Sequence, residues 1–111
     1  MIGDECTVRF FADWGSGPIW VSCPDGTLET PEPQELGVEG DLAESILLWL
    51  SKHTTMLNWD DPMGQKLASD LEFEFHDLWG RSLAQRLANF LGRAVEYPTG
   101  RDRIVMHPGD P

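Results

Sequence analysis

Residues 69–92, SDLEFEFHDLWGRSLAQRLANFLG, decide the fold class of this 111-residue chain. Large apolar side chains recur in this stretch mostly at intervals of three or four residues, which places them on one face of an α-helix. The stripe consists of Leu71, Phe75, Leu78, Leu83, Leu87, Phe90, Leu91 and Ala94. Ser69 with Glu72 resembles a capping box, and Gly92 stands where a C-terminal cap belongs. The sequence therefore predicts a helix over about 69–92 that needs a second layer to cover its apolar face.

A second helix is predicted over about 41–57. Asp41 and Glu44 have the spacing of a capping box at its start. Apolar and aromatic side chains then recur at helical spacing at Leu42, Ile46, Trp49, Leu50, His53 and Leu57. Pro62 lacks a backbone N–H and favours an extended conformation for the residue before it, so the chain cannot continue this helix through that point.

Four short strands complete the predicted elements. Residues 6–12 are rich in β-formers and place Cys6, Val8, Phe10 and Ala12 on one face. Residues 19–23 predict a second strand after a glycine-containing turn, so the two segments predict a hairpin. Segments 94–97 and 103–107 predict a second pair of strands. The order β-β-α-α-β-β predicts an α+β fold with two helices packed on one face of a small antiparallel β-sheet. We expect one domain over residues 1–107 and a flexible tail over 108–111.

The charge balance limits the possible partners. The chain carries 8 Lys and Arg against 19 Asp and Glu, a net charge of −11 and a pI near 4.4. Residues 1–80 hold 3 basic and 16 acidic side chains, whereas residues 81–111 hold 5 basic and 3 acidic ones. Phosphate backbones and anionic lipids repel such a protein, so we expect neither nucleic-acid nor membrane binding.

The expected compartment is the cytoplasm. The first residues, MIGDE, lack the basic and apolar segments of an export signal, and the longest apolar run, residues 46–50, is too short to span a bilayer. The two cysteines, Cys6 and Cys23, are too few for a disulfide framework and lack C-x-x-C spacing. We expect two reduced, buried thiols, with a Cys6–Cys23 bridge left open if the two residues lie on paired strands.

Candidate catalytic and metal sites lack a complete motif. Glu72 and His76 are four residues apart on the predicted helix, with Asp77 adjacent, but the HExxH pattern of a helical zinc site is absent. A solvated polar helix face is the preferred interpretation of these side chains. Asp60 and Asp61, together with Asp13, offer a carboxylate pair for acid–base chemistry, although capping also explains acids before a proline. We therefore expect no metal, no cofactor and no enzymatic activity.

The glycine loop Gly15-Ser16-Gly17 lacks the lysine of a phosphate-binding loop, so chain turning is its expected role.

The five tryptophans carry more information about binding. Trp49 falls on the apolar stripe of the first helix and Trp79 beside that of the second, which predicts core positions or edge positions of the core. Trp14 and Trp59 instead fall in predicted loops beside carboxylates. Because tryptophan anchors many protein interfaces and nearby charges steer association, the sequence predicts a partner-binding site. Its residues are Asp13, Trp14, Trp59, Asp60 and Asp61, with plugging of the core ends as the alternative role of both tryptophans.

Three segments resemble a known group of proteins. They are VRFFADWGSGPIW at 8–20, LNWDDP at 57–62 and GRSLAQRL at 80–87. Together they are similar to a group of small acidic actinobacterial proteins and, more loosely, to the immunity proteins encoded beside secreted bacterial toxins. No catalytic residue carries over from this resemblance, which implies a protein that binds another protein.

The leading functional hypothesis is an immunity or antitoxin-like inhibitor that occupies the basic cleft of a cognate toxin or enzyme. The first alternative is an adaptor or accessory subunit that does not inhibit its partner. The second is a small metal-dependent hydrolase that uses Glu72, His76 and the Asp60-Asp61 pair. A homodimer formed through the apolar edge near Trp79 is also left open.

Overall fold

A five-stranded β-sheet and two α-helices form the computed structural model, which describes residues 3, 5–12, 18–56, 70–99 and 102–109. In chain order the elements are β1 (Thr7–Phe10), β2 (Ile19–Ser22), β3 (Leu28–Glu29), a 3₁₀ helix (Pro33–Leu36), α1 (Gly40–Met56), α2 (Asp70–Leu91), β4 (Val95–Thr99) and β5 (Asp102–Met106). The predicted α+β class is confirmed. Neither described helix is apolar enough over a sufficient length to cross a bilayer.

The sheet is mixed, so the predicted purely antiparallel arrangement is wrong. Its strand order is β3-β2-β1-β4-β5, and β1 pairs with β4 in parallel while the other neighbouring strands are antiparallel. Parallel strands need a long crossover, which the helical part of the chain provides here. The residue pattern of a strand indicates which side chains share a face and carries no information on the direction of its neighbour. The two-residue strand β3 was not predicted.

One face of the sheet forms half of the core. Val8 lies opposite Val21 on one neighbouring strand and Val95 on the other, so all three side chains point to the same face. Phe10 and Tyr97 lie on this face as well and are buried. The predicted period-two alternation of the first hairpin is therefore confirmed. Both helices pack against this single face, through Ala43, Ile46 and Trp49 from α1 and Leu83, Ala84, Leu87 and Ala88 from α2.

The two helices begin and end within one residue of the predicted limits. Gly92 has a φ of 68° directly after α2, and its N–H donates to the Ala88 carbonyl at 2.9 Å, as expected of a C-terminal cap. Helix α1 begins at Gly40, which places Asp41 in the first turn instead of at the cap.

The face that α2 buries differs from the predicted stripe. Leu83 and Leu87 are buried, but Leu71, Phe75 and Leu78 are about 60% exposed. The spacing of five residues between Leu78 and Leu83 turns the helix by about 140° beyond a full turn, so the two halves of the stripe lie on different faces. In the first half of α2, His76 and Gly80 face the core instead.

A disulfide joins Cys6 and Cys23, so the expectation of two reduced thiols is wrong. The register pairs Thr7 with Ser22, which places the two cysteines directly opposite each other at the open end of the β1–β2 hairpin. Their Cα atoms are 4.1 Å apart. This proximity depends on the hairpin register, which the sequence pattern alone did not give.

Candidate functional site

The five residues predicted to bind a partner, Asp13, Trp14, Trp59, Asp60 and Asp61, lie outside the described residues. The glycine loop at 15–17 lies outside them too. The role of these residues in binding therefore stays a prediction.

The proposed metal ligands on α2 have other partners. Glu72 Oε2 lies 3.7 Å from Lys52 Nζ, and His76 Nε2 is hydrogen bonded to the Trp49 carbonyl at 2.9 Å. Asp77 Oδ2 lies 2.8 Å from Arg81 Nε. Within the described ranges, no three His, Cys, Asp or Glu side chains come together as a metal site would require. The geometry thus assigns these groups to contacts between and within the helices.

His76 connects the two helices, which corrects its expected place on a solvated helix face. Only 8% of the residue is exposed. Its imidazole donates from Nε2 to the Trp49 carbonyl, while Trp49 Nε1 donates to the His76 carbonyl, both at 2.9 Å. The two rings stack at 4.6 Å with an interplanar angle of 9°. Burial lowers the pKa of His76 below its usual range, against the opposing effects of its Trp49 hydrogen bond and the Asp77 carboxylate.

A close approach between α2 and the sheet depends on Gly80. A Cβ built at this position would lie 2.6 Å from the Tyr97 hydroxyl and 2.8 Å from Trp49 Cζ2. Tyr97 also donates a hydrogen bond to Asp77 Oδ1 at 3.0 Å, and burial raises the pKa of its hydroxyl. The absence of a side chain at Gly80 thus lets the two buried aromatic residues support the N-terminal half of α2.

Beside this connection, α1 and α2 enclose a groove of about 670 Å³. Its lining, called the helix groove below, consists of Leu48, Ser51, Lys52, Glu72, Phe75, His76 and Trp79. Leu48 and Phe75 are more than 60% exposed, whereas His76 forms part of the buried floor. The volume is in the range of clefts that hold a ligand or a partner side chain.

A second surface is defined by charge. Residues 24–51 contain seven carboxylates and neither lysine nor arginine. All seven are exposed and run from the turn before β3, through the 3₁₀ helix, into the first turns of α1: Asp25, Glu29, Glu32, Glu35, Glu39, Asp41 and Glu44. We call this the acidic segment. Its last member, Glu44, lies one helical turn before Leu48, so the acidic segment leads into the helix groove.

The sheet face turned away from the helices has a different character. Glu96 Oε1 lies 3.2 Å from Arg9 Nε and 3.6 Å from Arg103 Nη1. Phe11 and Trp20 stack beside them with ring centroids 4.8 Å apart. Two guanidinium groups around one carboxylate make this face locally more basic than the acidic segment. Because side chains alternate along a strand, Trp20 lies on the other face of the sheet from the buried Ile19 and Val21. This alternation in the sequence could have identified Trp20 as a residue of the outer face.

A protein-family model described as Serratia CdiI immunity protein-like matches residues 6–98. The chain belongs to this family. The match extends from the start of β1 into β4 and includes both helices, the acidic segment and the helix groove. No curated protein matches the chain.

Membership of the CdiI immunity protein-like family confirms the predicted resemblance to toxin immunity proteins. It also supports, at the level of the family, a protein partner that is a toxin. The five partner-binding residues predicted from sequence fall within the matched range. Leu48 and Phe75 were not predicted to be surface residues. Phe75 was assigned to the core because its spacing from Leu71 and Leu78 is helical. The one contrary signal was the five-residue interval between Leu78 and Leu83, which places the two halves of the stripe on different faces of the helix.

Proposed function

We propose that this protein is a non-enzymatic inhibitor that binds a cognate toxin and occupies the toxin's basic cleft with an acidic surface. The observation that carries the proposal is the match of residues 6–98 to an immunity protein-like family. The acidic segment supplies the matching electrostatics, since seven exposed carboxylates follow one another without an intervening lysine or arginine. An inhibitor with such a surface competes with the anionic substrate of a basic cleft and is steered toward it over long distances.

The predicted binding residues keep their roles in this proposal. Trp14 and Trp59 act as anchors that fill pockets of the toxin, as buried tryptophans do at many interfaces. Asp13, Asp60 and Asp61 form charge-assisted hydrogen bonds with basic side chains of the toxin. Support for these roles comes from the sequence: each tryptophan directly follows or precedes an aspartate, and all five residues lie within the matched range.

The test is protection against the toxin encoded beside this chain. We expect co-expression with that toxin to restore growth, and the purified complex to have lost the toxic activity. Trp59→Ala should weaken the complex without unfolding the protein, and the matched variant Trp20→Ala, on the sheet face turned away from the helices, should leave binding unchanged. A complex that forms while the toxin stays fully active would instead identify an accessory protein. The absence of any complex would refute the proposal.

A further inference from the structure

Exposed apolar side chains are frequent on the two helices that form the helix groove. Of the eight large hydrophobic residues that are exposed in the described part of the chain, Leu48 and Phe75 line the groove. Leu47, Leu71 and Leu78 are exposed on the same two helices. Leu48 is 62% and Phe75 63% exposed. Large exposed apolar patches are uncommon in monomers and mark interaction sites.

The groove is held in shape by the hydrogen bonds beneath it. The reciprocal bonds between His76 and Trp49 fix α1 against α2 at its floor. Trp79 forms part of the wall. Its ring meets the His76 ring edge-on, with the two ring centroids 6.2 Å apart. A cleft that is already formed in the free protein binds a partner without an ordering cost, so truncating its walls should affect affinity directly.

The charges around the groove identify the chemistry of its occupant. Glu72 lines the groove, with its carboxylate 3.7 Å from Lys52 Nζ. The exposed Glu44 occupies the turn of α1 before Leu48, and among the described residues Lys52 is the one lysine or arginine that lines the groove. Two carboxylates against one ammonium group leave a net negative rim around an apolar centre. Such a rim complements an apolar side chain flanked by lysine or arginine.

We propose that the helix groove is the docking site for an exposed aliphatic or aromatic side chain of the toxin that has basic residues on either side. This inference rests on the proposed function and gives it a contact surface distinct from the predicted loop anchors. A second copy of this chain fits less well, because a two-fold interface over the groove would bring two net negative rims together.

The experiment compares two phenylalanines of the same helix. Phe75 and Phe90 are both exposed on α2, at 63% and 51%, but only Phe75 lines the groove. We expect Phe75→Ala to weaken binding of the purified neighbouring toxin by about 30-fold or more, the loss typical of an interface hot spot. Phe90→Ala should bind as the wild type does. Leu48→Ala should weaken binding as well, since Leu48 is 62% exposed and also lines the groove.

Calorimetric titration gives the dissociation constants, and thermal unfolding of each variant verifies that it folds. If the wild type fails to bind the toxin, the proposed function is refuted and the docking site with it. If the wild type binds but Phe75→Ala and Leu48→Ala bind equally well, only the docking site is refuted. A concentration-dependent dimer of the free protein that Phe75→Ala dissociates would also overturn it, since the groove would then be covered by a second copy.

Discussion

His76 makes the stability of the helix packing depend on pH. Its burial lowers its pKa below the ordinary value, so the unfolded chain takes up a proton at a higher pH than the folded one. The contribution of neutral His76 to stability is therefore present above about pH 6.5 and decreases as the pH falls toward the folded-state pKa. Asp77 and Lys52 act on the ring in opposite directions, and His53 lies 5.7 Å from it.

We predict that the free energy of unfolding of the wild type falls, relative to that of His76→Gln, as the pH is lowered from about 7.5 to 5. Glutamine retains a donor for the Trp49 carbonyl but does not titrate in this range. The comparison is made between variants because the net charge of −11 also changes with pH. Urea unfolding at several pH values measures the difference. His107→Gln, at an exposed position, should follow the wild type, and parallel pH profiles for wild type and His76→Gln would contradict the prediction.

At the scale of the elements, the Cys6–Cys23 disulfide closes the hairpin of β1 and β2. The two residues are 17 positions apart in the sequence. Closing a loop of this size stabilises the folded state by about 3 kcal/mol, chiefly through the lower entropy of the unfolded chain. We predict that Cys6→Ala/Cys23→Ala lowers the free energy of unfolding by about this amount while the fold is retained.

Chemical denaturation with and without reductant measures this contribution. Reductant should bring the wild type to the stability of the double variant and leave the variant unchanged. A wild type that is indifferent to reductant would show that the bridge contributes nothing. Thiol labelling inside cells addresses the compartment, because disulfides persist in oxidising environments and thiols in the cytoplasm stay reduced.

The sequence predicted the elements better than their arrangement. Periodicity located α1 and α2 to within one residue, and Gly92 marked the end of α2, because both signals are local. The parallel pairing of β1 with β4 depends on contacts between segments nearly ninety residues apart, such as Arg9 with Glu96, and no local pattern encodes it. The buried face of α2 was misassigned for a different reason. The prediction of the buried face relied on the large apolar side chains of α2. In the structure, the small residues Gly80, Ala84 and Ala88 are also part of the face that packs against the core.

For the candidate site, too, the sequence predicted local features but not a surface that two elements form together. Adjacent tryptophan and aspartate residues in sequence predicted a binding loop, whose members lie outside the described residues. The helix groove requires two helices to be placed side by side, so it became visible only in the structure. Leu48 on α1 and Phe75 on α2 are far apart in sequence and line the same cleft.

For the whole molecule, the charges are arranged across the sheet. The acidic segment begins near the edge strand β3, and β5 forms the opposite edge. We predict that the association rate with the toxin falls by about tenfold or more between 0.01 and 0.15 M salt, as expected of electrostatic steering. Glu29→Lys should slow association and weaken this salt dependence. Asp102→Lys changes the net charge equally at the other edge and should have a smaller effect.

Stopped-flow measurements over a salt series give the association rate and its dependence on salt. Equal effects of the two variants would show that net charge, and not the acidic segment, governs association. An association rate independent of salt would refute electrostatic steering altogether.

The position of β1 has a consequence for folding during synthesis of the protein. This strand is the third of five in the sheet, flanked by β2, which follows it closely in the chain, and by β4, which begins at Val95. A ribosome must therefore translate beyond Val95 before the central strand acquires its second neighbour. Contacts between such distant segments slow folding, because the loop between them has to close first. Chains terminated before β4 lack the second neighbour of the central strand, so under the proposed function protection of the cell should arise only from chains that include β4.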